Sequence, residues 1–355
     1  MKVIISAGGT GGHIYPALAI INKIKEKDKK AEILYIGTTT RMEKDIIPNR
    51  GIDYEGIDVI GLSKNPIKAI KAVNKTLKAV KKCKQIMKKF KPDIVIGVGG
   101  YVTVPVIIAA KKLGIKTILH EQNSIPGKAN KFLARYADKV CVSMECSLKY
   151  FNNAIYTGNP RAEEVINVVK LKKETLDLRK DKKLVVITTG SLGASTVNKV
   201  IIEALPSIKK EDYDVVLITG KSCYKEYKKL KTPSNVHIVE YLENMPELLR
   251  ITDLIVSRAG ATTIAEITSL GIPSILIPSP YVPNNHQLIN AKTLKDSDAA
   301  IMIEEKDLTK DELLYQISRI MNDKDLAKNL SKNAKKLGMP NSATMIYDEI
   351  KKLLK

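Results

Sequence analysis

The chain has 355 residues, of which 44% are hydrophobic and 5% aromatic with no tryptophan, and its formal net charge is +21. That length exceeds what one hydrophobic core serves, so two domains are expected, with cores of Ile, Val, Leu and Ala as suits parallel sheets buried on both faces. The same sequence excludes several classes: no apolar run approaches the ~18 residues that span a bilayer, the opening residues read as a strand rather than a signal peptide, and the four cysteines show neither a CxxC pair nor zinc-like spacing.

The first apolar run, Val3 to Ser6, passes into a glycine-packed turn, Gly8-Gly9-Thr10-Gly11-Gly12-His13. Such a turn after a buried parallel strand lets the backbone approach a phosphate, with the N–H groups of the following helix directed at the charge. The spacing is not the GxGxxG of the dinucleotide fingerprint. The second run, Ile33 to Ile36, leads into Gly37-Thr38-Thr39-Thr40 rather than an acid, so a nicotinamide dehydrogenase is disfavoured, although Arg41 could serve a ribose 2′-phosphate. His13 stands where the turn becomes a helix. An imidazole there could take a proton from an attacking hydroxyl, and the helix N-terminus disfavours its charged form; the alternative is a histidine that only hydrogen-bonds the loop.

The stretch from Val59 to Pro92 contains eleven lysines and no acidic residue. Its periodicity predicts a helix with Ile70, Val73, Leu77, Val80 and Met87 on one stripe and Lys71, Lys75, Lys78 and Lys82 on another. Such a face is either solvated or a contact with anionic lipid head groups, to which each lysine adds about 1 kcal/mol. The net charge fits a polyanionic partner or an anionic membrane and does not choose between them.

Ile94 to Val98, Thr117 to Leu119, Val140 to Val142 and Ile155 to Thr157 complete the first half, each with turn residues after it. Gly158-Asn159-Pro160 breaks the pattern and marks a boundary, placing a first domain at 1–160, a second at 161–338 and a last helix at 339–355 that turns back to the first. A polar helix, Glu163 to Lys180, is expected just beyond the boundary.

The second half repeats the rhythm with Leu184 to Thr188, Val215 to Thr219, Val236 to Val239, Leu254 to Ser257, Ser274 to Ile277 and Ala300 to Ile303. Strands alternating with helices read as βαβ units in parallel sheets. Gly190-Ser191-Leu192-Gly193-Ala194-Ser195 is a second glycine turn that has no lysine and is not a Walker loop; the helix dipole and Ser191 could hold a diphosphate there. Ser257 to Glu266 places a carboxylate one turn into a helix, where one carboxylate can accept from both vicinal ribose hydroxyls. The plain alternative for Glu266 is an acid favoured near a helix start. Open α/β sheets bind ligands at these strand ends.

Together these motifs make the chain resemble the bacterial MurG family, transferases that add N-acetylglucosamine to the lipid-linked muramyl-pentapeptide precursor of peptidoglycan. The resemblance is carried by Gly8 to His13, Gly99-Gly-Tyr101, His120 to Gly127, Thr157 to Pro160, Gly190 to Ala194, Ser257 to Ala261 through Glu266, and His286-Gln-Leu-Ile-Asn290, in family order along nearly the whole chain. It implies an α/β, GT-B fold: two Rossmann-like parallel-sheet domains facing across a cleft, with the UDP-sugar held mainly by the second. By the resemblance, Glu266 would take the ribose, Ser191 and Arg161 the diphosphate side, and Asn123, Ala261 and Gln287 the sugar, with Thr262 and Thr263 beside them. Thr10, Gly11 and Gly12 would close over the donor from the first domain. The family usually has a residue between the proline and the arginine after Gly-Asn-Pro, whereas Arg161 follows Pro160 directly, so Arg161 is expected slightly displaced.

The activity so implied is an inverting transfer from UDP-N-acetylglucosamine to the muramyl 4-hydroxyl of lipid I, without metal or cofactor. His13 is the expected base and Glu121 the second candidate. The implied setting is peripheral, at the cytoplasmic face of the cell membrane, with the anionic inner leaflet and other cell-wall synthesis proteins as partners and no nucleic acid. Another GT-B enzyme, a glycolipid glycosyltransferase or a UDP-N-acetylglucosamine epimerase, is the nearest alternative. A basic nucleic-acid-binding protein rests on net charge alone, against few aromatics and no recognisable module.

Overall fold

Residues 1–63, 65–190 and 194–355 are described by the computed structural model. They divide into two units, Met1–Arg161 with Asn341–Lys355, and Ala162–Pro340. In the first unit the apolar runs become β1 (Lys2–Ala7), β2 (Glu32–Thr38), β3 (Asp53–Ile57), β4 (Ile94–Gly99), β5 (Lys116–Glu121), β6 (Lys139–Val142) and β7 (Ala154–Tyr156). All pair in parallel, in the order β3-β2-β1-β4-β5-β6-β7.

Side chains alternate across this sheet, so β1 feeds two cores. Val3, Ile5 and Ala7 join a cluster with Ile14 and Ile21 of the helix Gly11–Lys27 and Ile346 and Ile350 of the helix Ser342–Leu354. Ile4 joins the opposite cluster with Cys83 and Met87 of the helix Pro66–Phe90, Val106 of the helix Thr103–Lys112, and Leu133. The chain thus returns to the first unit at its end, where Ser342 Oγ donates to the Asn159 carbonyl at 2.6 Å.

The second unit carries β8 (Lys183–Thr188), β9 (Tyr213–Ile218), β10 (Val236–Val239), β11 (Leu254–Ser257), β12 (Ser274–Leu276) and β13 (Ile301–Met302), all parallel in the order β10-β9-β8-β11-β12-β13. In each sheet the strand order reverses beside the first strand, between β1 and β4 and between β8 and β11. Such switch points open a crevice at the strand ends. They place Ala7 opposite Gly99, and Thr188 opposite Ser257.

Two expectations change. The helix expected over Glu163 to Lys180 spans only Arg161–Asn167, followed by a short 3-10 turn, Lys173–Leu176. Arg250 explains the stop, because its guanidinium donates to the Ile166 and Val168 carbonyls that a longer helix would engage internally. β3 was not anticipated: it is an edge strand, and only Ile57 of its five residues is buried.

Candidate active site

At the end of β1 the chain turns through Gly8, Gly9 (φ +94°) and Thr10, and Thr10 starts the helix Gly11–Lys27. The Thr10 carbonyl accepts from the N–H groups of His13 and Ile14. Thr10 and Gly12 are exposed and Gly11 is half-buried, at a helix N-terminus where backbone N–H groups favour an anion. β4 ends in Gly99 and Gly100, both left-handed at φ +118° and +87°. Glycine is required at both, because a Cβ on Gly99 would stand 2.6 Å from His13 Cδ2 and one on Gly100 2.5 Å from the Gly8 carbonyl oxygen.

His13 Nδ1 lies 3.1 Å from the Gly8 carbonyl. A carbonyl oxygen can only accept, so Nδ1 carries the proton and Nε2 keeps its lone pair in the neutral ring. Burial pushes the imidazole below its ordinary 6.5, opposed by Glu121, the Gly8 carbonyl and Glu43. The ring is therefore neutral at pH 7, as a general base requires.

β5 delivers His120 and Glu121. His120 is fully buried: its Nε2 donates to the Gly158 carbonyl at 3.2 Å and its Nδ1 accepts from Gln122 Nε2 at 2.9 Å. Burial, with His13 nearby, pushes it down to about 4. Glu121 is 1% exposed and already occupied. One oxygen accepts from the Asn123 N–H and Nδ2, the other from the Gly127 N–H and Asn130 Nδ2, at 2.9 to 3.2 Å. Four donors thus surround the carboxylate and make it the clamp of the 121–130 loop. Asn123, half-buried, is oriented by that clamp, and its carbonyl accepts from Ser147 Oγ at 2.7 Å.

Arg161 lies with the first unit. Its N–H donates to Asn159 Oδ1 at 3.2 Å, and its guanidinium stands 5.5 Å from the ring centre of Tyr15, on the helix Gly11–Lys27 that also carries His13.

Glu43 was missed altogether. It is fully buried beneath the glycine turn, accepting from the Gly9 N–H at 3.2 Å, the Thr38 N–H at 3.1 Å and Thr38 Oγ1 at 2.7 Å. β2 lacks an acid at its end, but the chain folds back through the short helix Glu43–Ile46 and supplies one from below. The available signal was that Glu43 is the first acid after Glu32.

In the second unit, Gly190 (φ +90°) follows β8, and Ser191 with Leu192 and Gly193 lies outside the described residues. The flanks are fixed by Asn198, which accepts from Thr189 Oγ1 at 2.9 Å and donates to the Thr219 carbonyl at 3.3 Å. After β11 the helix Ala261–Leu270 begins behind Gly260. Ala261 and Glu266 are buried, and Thr262 and Thr263 half-buried, in its first two turns. The fully buried Asn290 donates to the Ala259 carbonyl at 3.1 Å and holds that turn. Gln287, one turn earlier on the same helix, accepts from the Ser279 N–H at 2.9 Å, which brings it to the exit of β12. Arg258 donates to the Ile277 carbonyl and pairs with Glu305 at 2.7 Å, and Glu305 also accepts from Thr196 Oγ1. Among the described residues no group of three or more His, Cys, Asp and Glu converges as a metal site.

The helix Pro66–Phe90 departs from the expected stripes. Val80 and Met87 are in the core, whereas Leu62, Ile67, Ile70 and Leu77 are 62% to 80% exposed. Lys75 pairs with Asp58 at 2.6 Å and Lys82 donates to the Gly56 carbonyl, so both fold back onto the protein. Lys71 and Lys78 flank the exposed Ile67 and Ile70 on a shallow surface groove. No helix among the described residues is long and apolar enough to cross a membrane.

Comparison with known proteins matches residues 3–142 to the glycosyltransferase family 28 N-terminal domain and residues 184–346 to the family 28 C-terminal domain. A UDP-N-acetylglucosamine–N-acetylmuramyl-(pentapeptide) pyrophosphoryl-undecaprenol N-acetylglucosamine transferase of Bacillus cereus is 46% identical, with 100% of both chains covered. The crystal structure of Acinetobacter baumannii MurG superposes with a TM-score of 0.75 at 28% identity, covering 99% of each chain. A Neisseria meningitidis UDP-GlcNAc 2-epimerase bound to UDP-GlcNAc superposes with a TM-score of 0.68 at 16% identity, covering 99% of this chain and 100% of that one, a likeness of fold alone.

Proposed function

This chain belongs to glycosyltransferase family 28, and on that premise we propose that it moves N-acetylglucosamine from UDP-N-acetylglucosamine to the muramyl 4-hydroxyl of undecaprenyl-pyrophosphoryl-MurNAc-pentapeptide, converting lipid I to lipid II in peptidoglycan synthesis. The observation that carries the substrate assignment is the full-length likeness to the Bacillus transferase.

The first unit supplies the proton chemistry. His13 Nε2 takes the proton of the attacking hydroxyl, whose oxygen bonds to the anomeric carbon from the face opposite the departing UDP and inverts it. Nδ1–H, held on the Gly8 carbonyl, keeps the tautomer correct throughout. The second unit supplies donor recognition, with Glu266 on the ribose and Ala261, Thr262, Thr263 and Gln287 along the sugar side. Ser191 and Arg161 take the diphosphate, with Thr10, Gly11 and Gly12 presenting helix N–H groups to negative charge. Asn123 reaches the sugar, with Glu121 as its anchor. Helix N-termini and Arg161 offset the charge developing on UDP, so full activity in EDTA is expected.

The exposed Leu62, Ile67, Ile70 and Leu77 with Lys71 and Lys78 form the face that meets an anionic inner leaflet, apolar side chains entering the interface and lysines staying at the head groups. The enzyme then works peripherally at the cytoplasmic side of the cell membrane, where its lipid substrate and other wall-synthesis proteins are found.

The test is product analysis. Purified protein, UDP-N-acetylglucosamine and a short-chain lipid I analogue should give a single disaccharide whose new anomeric proton shows the β configuration by NMR. An α-linked product, or an epimerised UDP-sugar with the acceptor unchanged, would defeat the assignment.

A further inference from the structure

We propose that Glu43 is a positioning residue that acts on His13 through the single peptide unit joining Gly8 to Gly9, a carboxylate–peptide–imidazole relay. The inference rests on the reading of His13 as the base and adds a residue to it.

The geometry is specific to one peptide group. Glu43 Oε2 accepts from the Gly9 N–H at 3.2 Å, and the carbonyl of that same peptide, Gly8 C=O, accepts from His13 Nδ1–H at 3.1 Å. A trans peptide presents its N–H and C=O on opposite edges and shares electrons between them. Negative charge at the N–H edge makes the carbonyl a stronger acceptor, and hydrogen bonds in series polarise one another in a buried site. The imidazole proton is thereby fixed on Nδ1 and the lone pair on Nε2, the task that a carboxylate performs directly in a Ser-His-Asp triad.

The surroundings are shaped around this carboxylate. A Cβ on Gly8 would stand 2.5 Å from Glu43 Oε1, and one on Gly37 2.8 Å from Glu43 Cγ. The other oxygen is held by both donors of Thr38, which fixes the direction of Oε2. Burying a carboxylate is destabilising in itself, and a neutral acceptor would cap the Gly9 N–H equally well; only a charge also acts on His13. The other ionisable groups facing the pair are Glu121 and His120 on the His13 side, and Tyr35, Tyr54 and Arg41 on the Glu43 side, with Asp45 acting on Tyr54.

The test compares wild type with Glu43→Gln in the full chain, using UDP-N-acetylglucosamine and the lipid I analogue. In the variant, an amide that satisfies both Thr38 donors turns its NH2 toward Gly9, so the relay is cut while the volume is kept. The expected result is a fall in kcat of about 10- to 100-fold, an unchanged KM for UDP-N-acetylglucosamine, and an acidic limb of kcat moved to lower pH, because a negative charge that favoured the imidazolium is gone. A purely structural cap would lower kcat with the limb in place, and that outcome overturns the relay, as does unchanged kcat.

If Glu43→Gln does not fold, 15N-histidine NMR of the wild type decides, with the His13 signal assigned by its loss in His13→Gln. Neutral His13 protonated on Nδ1 supports the relay and on Nε2 overturns it. A His13→Gln enzyme that keeps its turnover removes the base assignment and the relay together. An inactive His13→Gln beside a fully active Glu43→Gln removes the relay alone.

Discussion

The glycine turn after β1 and the turns after β8 and β11 share a strand-to-helix plan but are held by different chemistry. The first rests on charge: buried Glu43 accepts from Gly9 and Thr38, and the left-handed Gly99 and Gly100 bring a second strand end against Gly8 and His13. At the others neutral amides hold the turn backbone, Asn198 at the β8 turn and Asn290 on the Ala259 carbonyl after β11, and the Arg258–Glu305 ion pair beside them is balanced within itself. A carboxylate beneath a turn supports an imidazole that must bind and release a proton. A neutral clamp leaves the helix N-termini as the positive features of the site. On the proposed reading the first unit carries the proton transfer, with Thr10, Gly11, Gly12 and Arg161 facing negative charge, and the second carries most of the donor recognition.

The largest expected effect is on chemistry. His13→Ala should lower kcat by about 10² to 10⁴ while calorimetric UDP affinity stays near wild type; lost donor affinity with normal kcat would reverse the division of labour. Because burial holds His13 below 6.5, wild-type kcat should keep its plateau down to pH values below that figure.

Next comes stability. His120 has a folded pKa of about 4, lower than its unfolded value of 6.5, so the folded state binds fewer protons between these limits. Its contribution is complete above pH 6.5 and is lost as pH falls toward 4, on the order of 3 kcal/mol. Hydrogen exchange should show protection of β5 and β6 amides falling across that window and that of β8 and β9 amides falling less. Equal loss in both units would break the contrast.

A smaller effect is expected at the donor site. Glu266→Ala should weaken UDP-N-acetylglucosamine binding by about tenfold to a hundredfold, the range for hydrogen bonds to a charged group, and leave the pH profile of kcat unmoved. The smallest lies at the surface. Lys71→Ala with Lys78→Ala should weaken binding to anionic vesicles by about 2 kcal/mol and spare turnover of the short-chain acceptor, as checked by vesicle co-sedimentation.

Both sheets could be read from the sequence because their central strands are unbroken apolar runs ending in glycine or small polar residues, as in Val3 to Ser6 and Leu254 to Ser257. β3 could not, because Asp53-Tyr-Glu-Gly-Ile57 is an edge strand whose polar residues face outward and carry no apolar run. The helix after Arg161 was overextended because its end is set by Arg250, distant in sequence. Leu77 and Val80 share a local pattern, but only the neighbouring helix decides which is covered. Within the site, the place of His13 beside the turn was legible, whereas that of Glu43 was not, because it depends on a fold-back beneath a strand that no local pattern reports. The clamp made by Glu121 was hidden for the same reason: its four donors come from the loop that follows it and from Asn130 on the next helix.

The most direct test of the account is the acceptor dependence of UDP release, with wild type and His13→Ala measured side by side. Purified wild type should release UDP from UDP-N-acetylglucosamine only when the lipid I analogue is present, and His13→Ala should bind the donor yet release almost none. Release by wild type at the same rate without acceptor, or undiminished acceptor-dependent release by His13→Ala, would contradict it.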